Sequence, residues 1–342
     1  MRLGSELEAA VSTPRNRVTS LEVAQHSGVS RATVSYVLNG TPNQTISAET
    51  RQRVLDAAER LGYTPYAPAR ALRSGRSDVV VFLLPEWPIG ASIARLVEDL
   101  TRALVAARLT LVMHVHLRSA RPVGDLWGAI TPAAVINHQA LNDVELQAVR
   151  RTGIPVITPI YDVDGISTFA DFQRRIGFLQ ADHLVANGHR RVGFALTDDD
   201  RLCAFSEPRL DGVRQACAEA DVAEPLIQTV ALDAASASGA IGRWRRTRPS
   251  VTGICAYNDE VALAVLAGMR TRGLRAPDDL AVIGVDNIPA GALTDPGLTT
   301  IATGMSALGQ HLAAAVINTL EGKPVTPGPA QDVIELIRRD SA

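Results

Sequence analysis

Six consecutive apolar residues, Val79–Leu84, constrain the fold of this chain more than any other feature of its sequence. A continuous apolar run of this length is typical of a strand that is buried on both faces of a parallel sheet. Similar short runs follow at intervals, and stretches with helical periodicity separate them. Strands that alternate with helices in this way predict a doubly wound α/β fold, in which helices cover both faces of a parallel sheet.

The alternation continues far enough to predict two lobes of this kind. The chain has 342 residues and is therefore longer than a typical single domain. The predicted strands are residues 79–84, 109–115, 133–136, 154–158, 192–196, 226–230, 253–256, 281–285 and 332–337. The predicted helices of this region are residues 93–108, 142–151, 175–187, 209–220, 237–247 and 259–272.

The first 76 residues differ from the rest of the chain in charge. They hold ten Arg, no Lys and six acidic residues, which leaves 24 of the 34 Lys plus Arg and 30 of the 36 Asp plus Glu to the remainder. A basic N-terminal segment on an acidic body is expected of a nucleic-acid-reading unit joined to a sensing domain. Uneven surface charge can also arise by chance, so the charge alone leaves both interpretations open.

The cysteines and the N-terminus exclude several classes of protein. Cys203, Cys217 and Cys255 are too few and too scattered for a disulfide framework or a zinc site, and we expect them to be reduced. We predict no metal and no cofactor. The first residues include Glu6 and Glu8 and lack the apolar run of a signal peptide, and no stretch is long and apolar enough for a transmembrane helix. We therefore expect a cytoplasmic protein.

The basic segment has the pattern of a helix-turn-helix unit. Thr19 and Glu22 have the spacing of a capping box and open a short helix. Gly28 follows in a three-residue turn where a positive φ is permitted, and Ser30 is placed to cap a second short helix. Two short helices joined by a glycine turn form a helix-turn-helix. A third helix is predicted to begin after Ser47.

Several segments carry a family resemblance. Residues 18–40 read VTSLEVAQHSGVSRATVSYVLNG, and they are followed by TRQRV (50–54), LGYTP (61–65) and ARALRSGR (69–76). Later segments are NGHRRVGF (187–194), AYNDEVA (256–262), VIGVDN (282–287) and LTTI (298–301). In this order, and over residues 17–340, they resemble the lactose-repressor/galactose-repressor family of bacterial transcriptional regulators.

The resemblance implies an all-α headpiece joined to a periplasmic-binding-protein-like α/β body. A flexible tail (1–16), a headpiece (17–64) and a hinge helix or linker (65–76) are expected before the body (77–340). The chain of this family crosses between the lobes three times. The first lobe is therefore expected to comprise about residues 77–161 and 290–321, and the second about residues 162–289 and 322–340.

The resemblance also implies which headpiece residues meet DNA. Arg31, Ala32 and Tyr36 match the positions that read bases in the major groove, where an Arg can donate two hydrogen bonds to guanine. The positions that touch phosphates, and so set register rather than sequence, are Thr19, Ser30, Ser35, Asn39 and Tyr63. Thr19 and Ser30 also suit plain helix capping, and Tyr36 could be an ordinary surface tyrosine.

The hinge is expected to read the minor groove. Leu72 matches the side chain that enters the central base step, and Arg73 follows it. Burial of Leu72 against the body is the alternative. Pro68 departs from the family and is tolerable only in the first turn of a helix, while Tyr66 replaces a polar residue that is usual at the start of the hinge.

A ligand site is expected in the cleft between the lobes, beyond the carboxyl ends of the strands. Arg209, Asn258 and Asp286 match effector-contact positions of the family and would suit a polyhydroxylated ligand. Trp87 and Phe205 follow predicted strands and could stack on a ring. Asp286 could instead serve a structural turn.

Other residues near this cleft have plainer interpretations or depart from the family. Asp259 is interpreted as an N-cap, and His138 as an ordinary core or rim residue. Tyr161 is a further aromatic that follows a strand. Phe172 and Gln173 replace an Asp-Asn-like pair that is common in the family and shapes the ligand site, so the effector class cannot be transferred from a relative.

These observations predict a sequence-specific regulator, most simply a repressor, that binds a pseudo-palindromic operator as a homodimer. A small molecule, such as a sugar or a nucleoside-like metabolite, would control it allosterically, by releasing or by tightening DNA binding. A solute-binding protein of a transport system would explain the body but not residues 17–76. A two-lobed enzyme would need a catalytic motif, and neither a nucleophile elbow nor a phosphate-binding glycine loop occurs in the sequence. We therefore expect no catalytic activity.

Overall fold

The computed structural model describes residues 18–38, 44–63, 77–117, 123–159, 168–325 and 334–342. The chain divides into two compact units, residues 1–77 and residues 78–342. Several sequence-based predictions lie outside the described residues: the tail, Asn39, Tyr161 and the hinge with Tyr66, Pro68, Leu72 and Arg73.

The N-terminal unit contains the helices α1 (Ser20–Ser27), α2 (Arg31–Leu38) and α3 (Ala48–Leu61). The Thr19–Glu22 capping box is present at the start of α1, and Gly28 ends this helix with φ 67°. Ser47 caps α3 by accepting a hydrogen bond from the Thr50 amide at 3.2 Å. The three helices share a small core that includes Val23, Val34, Val37, Val54, Ala57 and Ala58. The predicted helix-turn-helix is therefore confirmed.

The second unit alternates strands and helices. Its strands are β1 (Val79–Leu84), β2 (Thr110–Val115), β3 (Ala134–Asn137), β4 (Val156–Ile157), β5 (Val192–Thr197), β6 (Leu226–Val230), β7 (Gly253–Ala256), β8 (Ala281–Val285), β9 (Thr299–Ala302) and β10 (Glu335–Ile337). Its helices are α4 (Ala91–Ala106), α5 (Gly124–Ala129), α6 (Asp143–Arg151), α7 (Phe169–Ala186), α8 (Cys203–Glu219), α9 (Ala234–Arg246), α10 (Asp259–Thr271) and α11 (Met305–Leu320).

The strands form two sheets, one for each lobe. In the described residues the first sheet has the order β2-β1-β3-β4 and the second has the order β10-β9-β8-β7-β5-β6. Neighbouring strands run parallel throughout, except that β10 pairs antiparallel with β9. The central strand β1 is buried from its second residue to its last, as the apolar run predicted. The doubly wound, two-lobed fold is confirmed.

The chain returns to the first lobe later than expected. Residues 290–321 were predicted to belong to that lobe, but β9 pairs with β8 in the second sheet, at Ile283–Thr299 and the two following positions. The crossing follows β9, and α11 then packs against α4 and touches β3 of the first lobe. The boundary was wrong because β9, which is buried although two of its residues are Thr, joins the sheet of the second lobe before the chain leaves that lobe.

Two helices begin earlier than predicted. The α7 helix starts at Phe169 rather than at residue 175, because Thr168 caps it by accepting from the Asp171 amide at 3.1 Å. The α8 helix starts at Cys203 rather than at residue 209, and Pro208 lies inside it. A proline removes one backbone donor but does not by itself end a helix whose other contacts hold it. No helix in the described part of the chain is long and apolar enough to cross a membrane.

Candidate functional site

A cavity lies between the two lobes at the carboxyl ends of their strands. Its empty volume is about 790 Å³, which includes space that is open to solvent. The first lobe contributes Pro88, Gly90, Ala91, Ser92, Ile93 and His138 to the lining. The second lobe contributes Phe169, Phe172, Gln173, Leu202, Phe205, Arg209, Tyr257, Asn258, Glu260, Asp286 and Ile288, and the crossing segment contributes Thr303 and Met305.

Four of the five effector-site residues predicted from the sequence line this cavity: Phe205, Arg209, Asn258 and Asp286. The fifth, Trp87, lies directly behind the lining. Its ring centre is 4.5 Å from that of Phe205 and 5.7 Å from that of Phe169. The structure therefore brings all five together, and Trp87 supports an aromatic wall.

Arg209 is held firmly although it carries a charge. Its side chain is buried, and its Nε donates to the Gln173 carboxamide oxygen at 2.7 Å while Nη1 donates to the Tyr257 carbonyl oxygen at 2.5 Å. Its guanidinium carbon also lies 4.9 Å from the centre of the Tyr257 ring. These contacts fix the orientation of the guanidinium before any ligand binds, which reduces the entropy lost on binding.

Two glycines allow the helix that carries Arg209 to approach its neighbour. A Cβ atom at Gly177 of α7 would lie 1.8 Å from the Arg209 carbonyl oxygen, and one at Gly212 of α8 would lie 1.9 Å from the Arg174 carbonyl oxygen. The backbones of α7 and α8 therefore touch where the helices cross. This contact places Gln173 of α7 within hydrogen-bond distance of Arg209.

Asn258 and Asp286 follow β7 and β8. Asn258 is the N-cap of α10, where its Oδ1 accepts from the Val261 amide at 2.9 Å. Asp286 has φ 106°, a backbone conformation that is costly for a residue other than glycine. Burial raises the pKa of the Asp286 carboxyl, and the nearby Arg209 guanidinium opposes that rise.

The prediction that Asp259 caps α10 is wrong, because Asn258 takes that position. Asp259 is fully buried, and its two oxygens accept from the Thr300 hydroxyl at 2.6 Å and from the Ile288 amide at 2.8 Å. Burial raises the pKa of Asp259 to about 7 against these two hydrogen bonds. The Asp259 carboxylate thereby ties α10 to β9 and to the turn that contains Asp286.

Sequence reasoning missed several residues of this site. Phe169 and Tyr257 were not singled out, and His138 was interpreted as an ordinary core or rim residue, yet all three line the cavity. Phe172 and Gln173 were noted only as departures from the family, and both prove to be lining residues. The misplaced start of α7 concealed that Phe169 and Gln173 lie one helical turn apart, on the same face.

The N-terminal unit presents the predicted DNA contacts at its surface. Arg31 and Ala32 are exposed in the first turn of α2, and Tyr36 is partly exposed one turn later. Val34 and Val37 are buried on the opposite face of the same helix. The exposed face of α2 therefore carries Arg31 and Ala32 and lies opposite the core of the unit.

The predicted phosphate-contact residues serve structural contacts as well. The Ser30 hydroxyl accepts from the Thr33 amide at 3.1 Å, and Thr19 exchanges hydrogen bonds with Glu22. Ser35 is partly exposed, and Tyr63 packs against the core of the unit. The two capping interactions predicted for Thr19 and Ser30 are thus present.

Comparison with known proteins identifies the family. A family model described as bacterial regulatory proteins of the lacI family matches residues 20–66, and a periplasmic binding protein-like domain matches residues 181–342. The HTH-type transcriptional regulator MalR of Streptomyces coelicolor is 30% identical, over 94% of this chain and 95% of its own length. The chain belongs to the LacI family.

A further relative and two solved structures are also similar to this chain. The HTH-type transcriptional regulator GntR of Pseudomonas aeruginosa is 29% identical over 95% of this chain and 96% of its own length. A structure described as the Lac repressor dimer bound to operator and the anti-inducer ONPF shares the fold, with a TM-score of 0.76, 22% identity and coverage of 95% of this chain and 99% of that one. A CelR–cellobiose complex has a TM-score of 0.61, 24% identity and coverage of 95% and 100%. This LacI-family chain is a helix-turn-helix transcriptional regulator.

Proposed function

We propose that this regulator acts as a repressor, binds a pseudo-palindromic operator as a homodimer, and changes its operator affinity when a small metabolite binds in the cavity between the lobes. The observation that carries the proposal is that Phe205, Arg209, Asn258 and Asp286 line one cavity of a LacI-family body. Their donors and acceptors suit a sugar or a nucleoside-like metabolite. Because such a regulator acts on the chromosome, we place it in the cytoplasm, and we assign it no catalytic step.

In the headpiece, we assign base reading to Arg31, Ala32 and Tyr36. Arg31 would donate two hydrogen bonds to a guanine edge, and Ala32 would offer an apolar contact. Phosphate contacts are assigned to Thr19, Ser30, Ser35, Asn39 and Tyr63. In the hinge, Leu72 and Arg73 are assigned to the minor groove. We take residues 1–16 as tail, 17–64 as headpiece, 65–76 as hinge and 77–340 as body.

The proposed mechanism is a coupling free energy between two sites. A ligand that contacts both lobes favours one angle between them, and that angle would set the spacing of the two hinges in a dimer. A ligand shifts the equilibrium between two lobe angles only if it binds the protein more tightly at one angle than at the other. Operator affinity would then change with effector concentration, and an operator-binding assay would show whether it rises or falls.

The proposal is tested with the full chain in two steps. Its unfolding temperature is measured with a panel of monosaccharides, disaccharides and nucleosides, because a compound that binds only the folded state raises that temperature. A compound that does so is then added to an operator-binding assay. The proposal predicts a changed operator affinity, and Arg209→Ala should abolish the change while leaving ligand-free operator binding intact. Unchanged operator affinity in the presence of a bound compound would refute the allosteric role of the cavity.

A further inference from the structure

An arginine-rich surface lies at the end of the second lobe that is opposite the cavity. The α9 helix ends at Arg246 and β7 begins at Gly253, while α10 ends at Thr271 and β8 begins at Ala281. Helices that connect parallel strands end at the amino ends of those strands, whereas the cavity lies at the carboxyl ends. The exposed basic residues there, which we call the arginine patch, are Arg243, Arg245, Arg246, Arg248, Arg272 and Arg275.

Direct contacts bring the two segments of the patch together. The Arg272 Nε donates to the Ser238 carbonyl oxygen of α9 at 2.7 Å. Gly242 leaves room for the Arg272 guanidinium, since a Cβ atom at Gly242 would lie 2.7 Å from its Nη2. Arg245 and Arg246 follow Gly242 by three and four positions, so they lie on the same face of α9. Arg272 is therefore seated beside them.

The positive charge of the patch has little compensation. Within the described parts of the chain, the ion pair that the patch forms with a carboxylate is Arg275–Asp278 at 3.9 Å, and both side chains are largely exposed. Asp278 and Asp279 are the acidic residues next to the patch. The chain after residue 76 holds 24 basic and 30 acidic residues, so 18 basic and 28 acidic residues remain outside this surface. A positive surface thus stands on an acidic body.

Local contacts orient the arginines but do not explain their number. The Arg248 Nη1 donates to the Thr247 carbonyl oxygen at 3.0 Å, and the Arg243 Nε donates to the Gln228 side-chain oxygen. Each of these contacts uses one of the five N–H donors of a guanidinium. Basic residues in the last turn of a helix also interact with its dipole, but this effect is small. Three of the six arginines come after the last residue of their helix, where the dipole contributes less.

The strand beside the patch favours a polypeptide partner over a nucleic acid. In the described sheet β6 is the last strand, and its Gln228 contacts Arg243. Ile227 and Thr229 of β6 are exposed. An edge strand can pair with the N–H and C=O groups of an extended chain, whereas phosphates only accept hydrogen bonds. The acidic remainder of the body would also repel a long duplex with its regular phosphate charges.

We propose that the arginine patch and the adjoining edge of β6 form a docking surface for an acidic segment of a partner protein. Guanidinium groups pair with carboxylates through two parallel hydrogen bonds. A short segment rich in Asp and Glu would supply the negative charge that the patch lacks. It would also stay within the reach of the patch, because salt screens its repulsion from the acidic surface farther away. This surface is separate from the cavity between the lobes.

The test measures the affinity of the full chain for a fluorescein-labelled oligoglutamate peptide and for random-sequence duplex DNA, by fluorescence anisotropy. The variant is Arg246→Glu with Arg275→Glu, because the ion pair recorded for these two side chains is the long Arg275–Asp278 contact. The peptide should bind the wild type with an affinity that falls as salt rises. The variant should bind the peptide about tenfold more weakly, since two attractive charges become repulsive.

The matched control is Arg95→Glu with Arg151→Glu. Both arginines are exposed on the first lobe, and their substitution changes the net charge of the chain by the same amount. This control should leave the affinity for the peptide within about twofold of the wild type, because exposed charges beyond a Debye length are screened. Arg246→Gln with Arg275→Gln should cause a smaller loss than the charge reversal. This neutral variant carries the test if the reversed one has a lowered unfolding temperature.

Three results would overturn the inference. The first is that the wild type does not bind the peptide, and the second is that the patch variant and the control lose affinity equally. The third is a loss of affinity for duplex DNA that exceeds the loss for the peptide, which would make the patch a nucleic-acid contact. Each of these results would leave the proposed function standing, since the effector cavity takes no part in this assay.

Discussion

At the scale of single residues, the turn after β8 contains two residues whose backbone conformation is unfavourable and is stabilised by contacts with other parts of the body. Asp286 and Asn287 both have positive φ, 106° and 51°. The Ile288 amide donates to Asp259, and Arg339 donates to the Asn287 side-chain oxygen at 2.6 Å. These contacts come from α10 and from the C-terminal segment, so the turn that presents Asp286 to the cavity is fixed from two sides.

The titration of Asp259 should make stability depend on pH. The folded-state pKa of about 7 is above the ordinary value of 3.8, so the folded chain binds the extra proton between these two values. This contribution to stability is fully present below the ordinary pKa and is lost as pH rises through about 7. Between pH 5.5 and pH 8 the loss should be about 1–2 kcal/mol.

Urea unfolding at the two pH values measures this effect, with Asp259→Asn as the comparison. The variant cannot titrate at this position, so only the wild type should lose stability as pH rises. The unfolding free energy of the wild type minus that of the variant should therefore fall by about 1–2 kcal/mol between pH 5.5 and pH 8. Every other titratable group is common to the two proteins, so its contribution cancels in that difference. A difference that stays constant from pH 5.5 to pH 8 would contradict the assigned pKa.

In the headpiece, Arg31 carries the most specific residue-level prediction. Arg31→Ala should cost about 1–3 kcal/mol at one base pair in each half-site, because a bidentate contact to guanine is lost. Arg31→Lys keeps the charge but not the fork-shaped pair of donors, so it should lose the same base preference while retaining more of the overall affinity. The affinity of each substituted protein is measured against operators that differ by a single base pair. If each substitution lowers the affinity equally for all of these operators, Arg31 contacts phosphate rather than a base.

The sequence predicted some residues of the cavity and its supporting turn, but not the roles of others. Asn258 and Asp286 could be named because they stand in the family-like segments 256–262 and 282–287, and Arg209 because it matches an effector-contact position of the family. The role of Asp259 could not be predicted, since its partners Thr300 and Ile288 are about 41 and 29 positions away and only the sheet order brings them together.

At the scale of elements, the crossing of α7 and α8 positions the centre of the cavity. Gly177→Ala would drive a methyl group into the backbone of α8 at Arg209. The helices must separate, at a cost of about 2–3 kcal/mol or more in unfolding free energy. The Arg209–Gln173 pair should separate with them, so the affinity for any compound bound in the cavity should fall as well.

Gly239→Ala is the matched control, because a Cβ atom at this position of α9 meets only the end of the Arg243 side chain at 3.5 Å. Alanine is favoured over glycine within a helix by about 0.5–1 kcal/mol. Chemical denaturation should therefore find this variant as stable as the wild type or more so. Equal destabilisation by the two substitutions would mean that the α7–α8 contact is not specifically tight.

Element boundaries show where sequence patterns suffice and where they fail. The predicted bounds of β1, β6, β7 and β8 agree with the structure. For β1, β7 and β8 the reason is that a short apolar run buried on both faces has sharp ends, whereas β6 is an edge strand whose residues alternate in burial. The start of α8 was predicted six residues too late, at 209, whereas the helix begins at Cys203 and contains Pro208. The lobe of β9 was missed because strand pairing between distant segments is not written in local periodicity.

At the scale of the whole molecule, the chain combines two compact units with different charge and separate cores. The basic residues of the first unit suit a phosphate backbone, and the second unit encloses a cavity whose lining carries few charges. A regulator needs both properties, since one unit must read DNA and the other must sense a metabolite. The family resemblance identified in the sequence predicted this division, but not the chemistry of the cavity wall.

The central claim is that this LacI-family regulator reads a symmetric operator through its headpiece. Selection from a random pool of double-stranded DNA tests the claim most directly, with the full chain and with residues 78–342 alone. The full chain should enrich two inverted half-sites, because each headpiece of a symmetric dimer reads one of them. The truncated chain should enrich nothing. Enrichment of a single, non-repeated site, or equal enrichment by the truncated chain, would contradict the account.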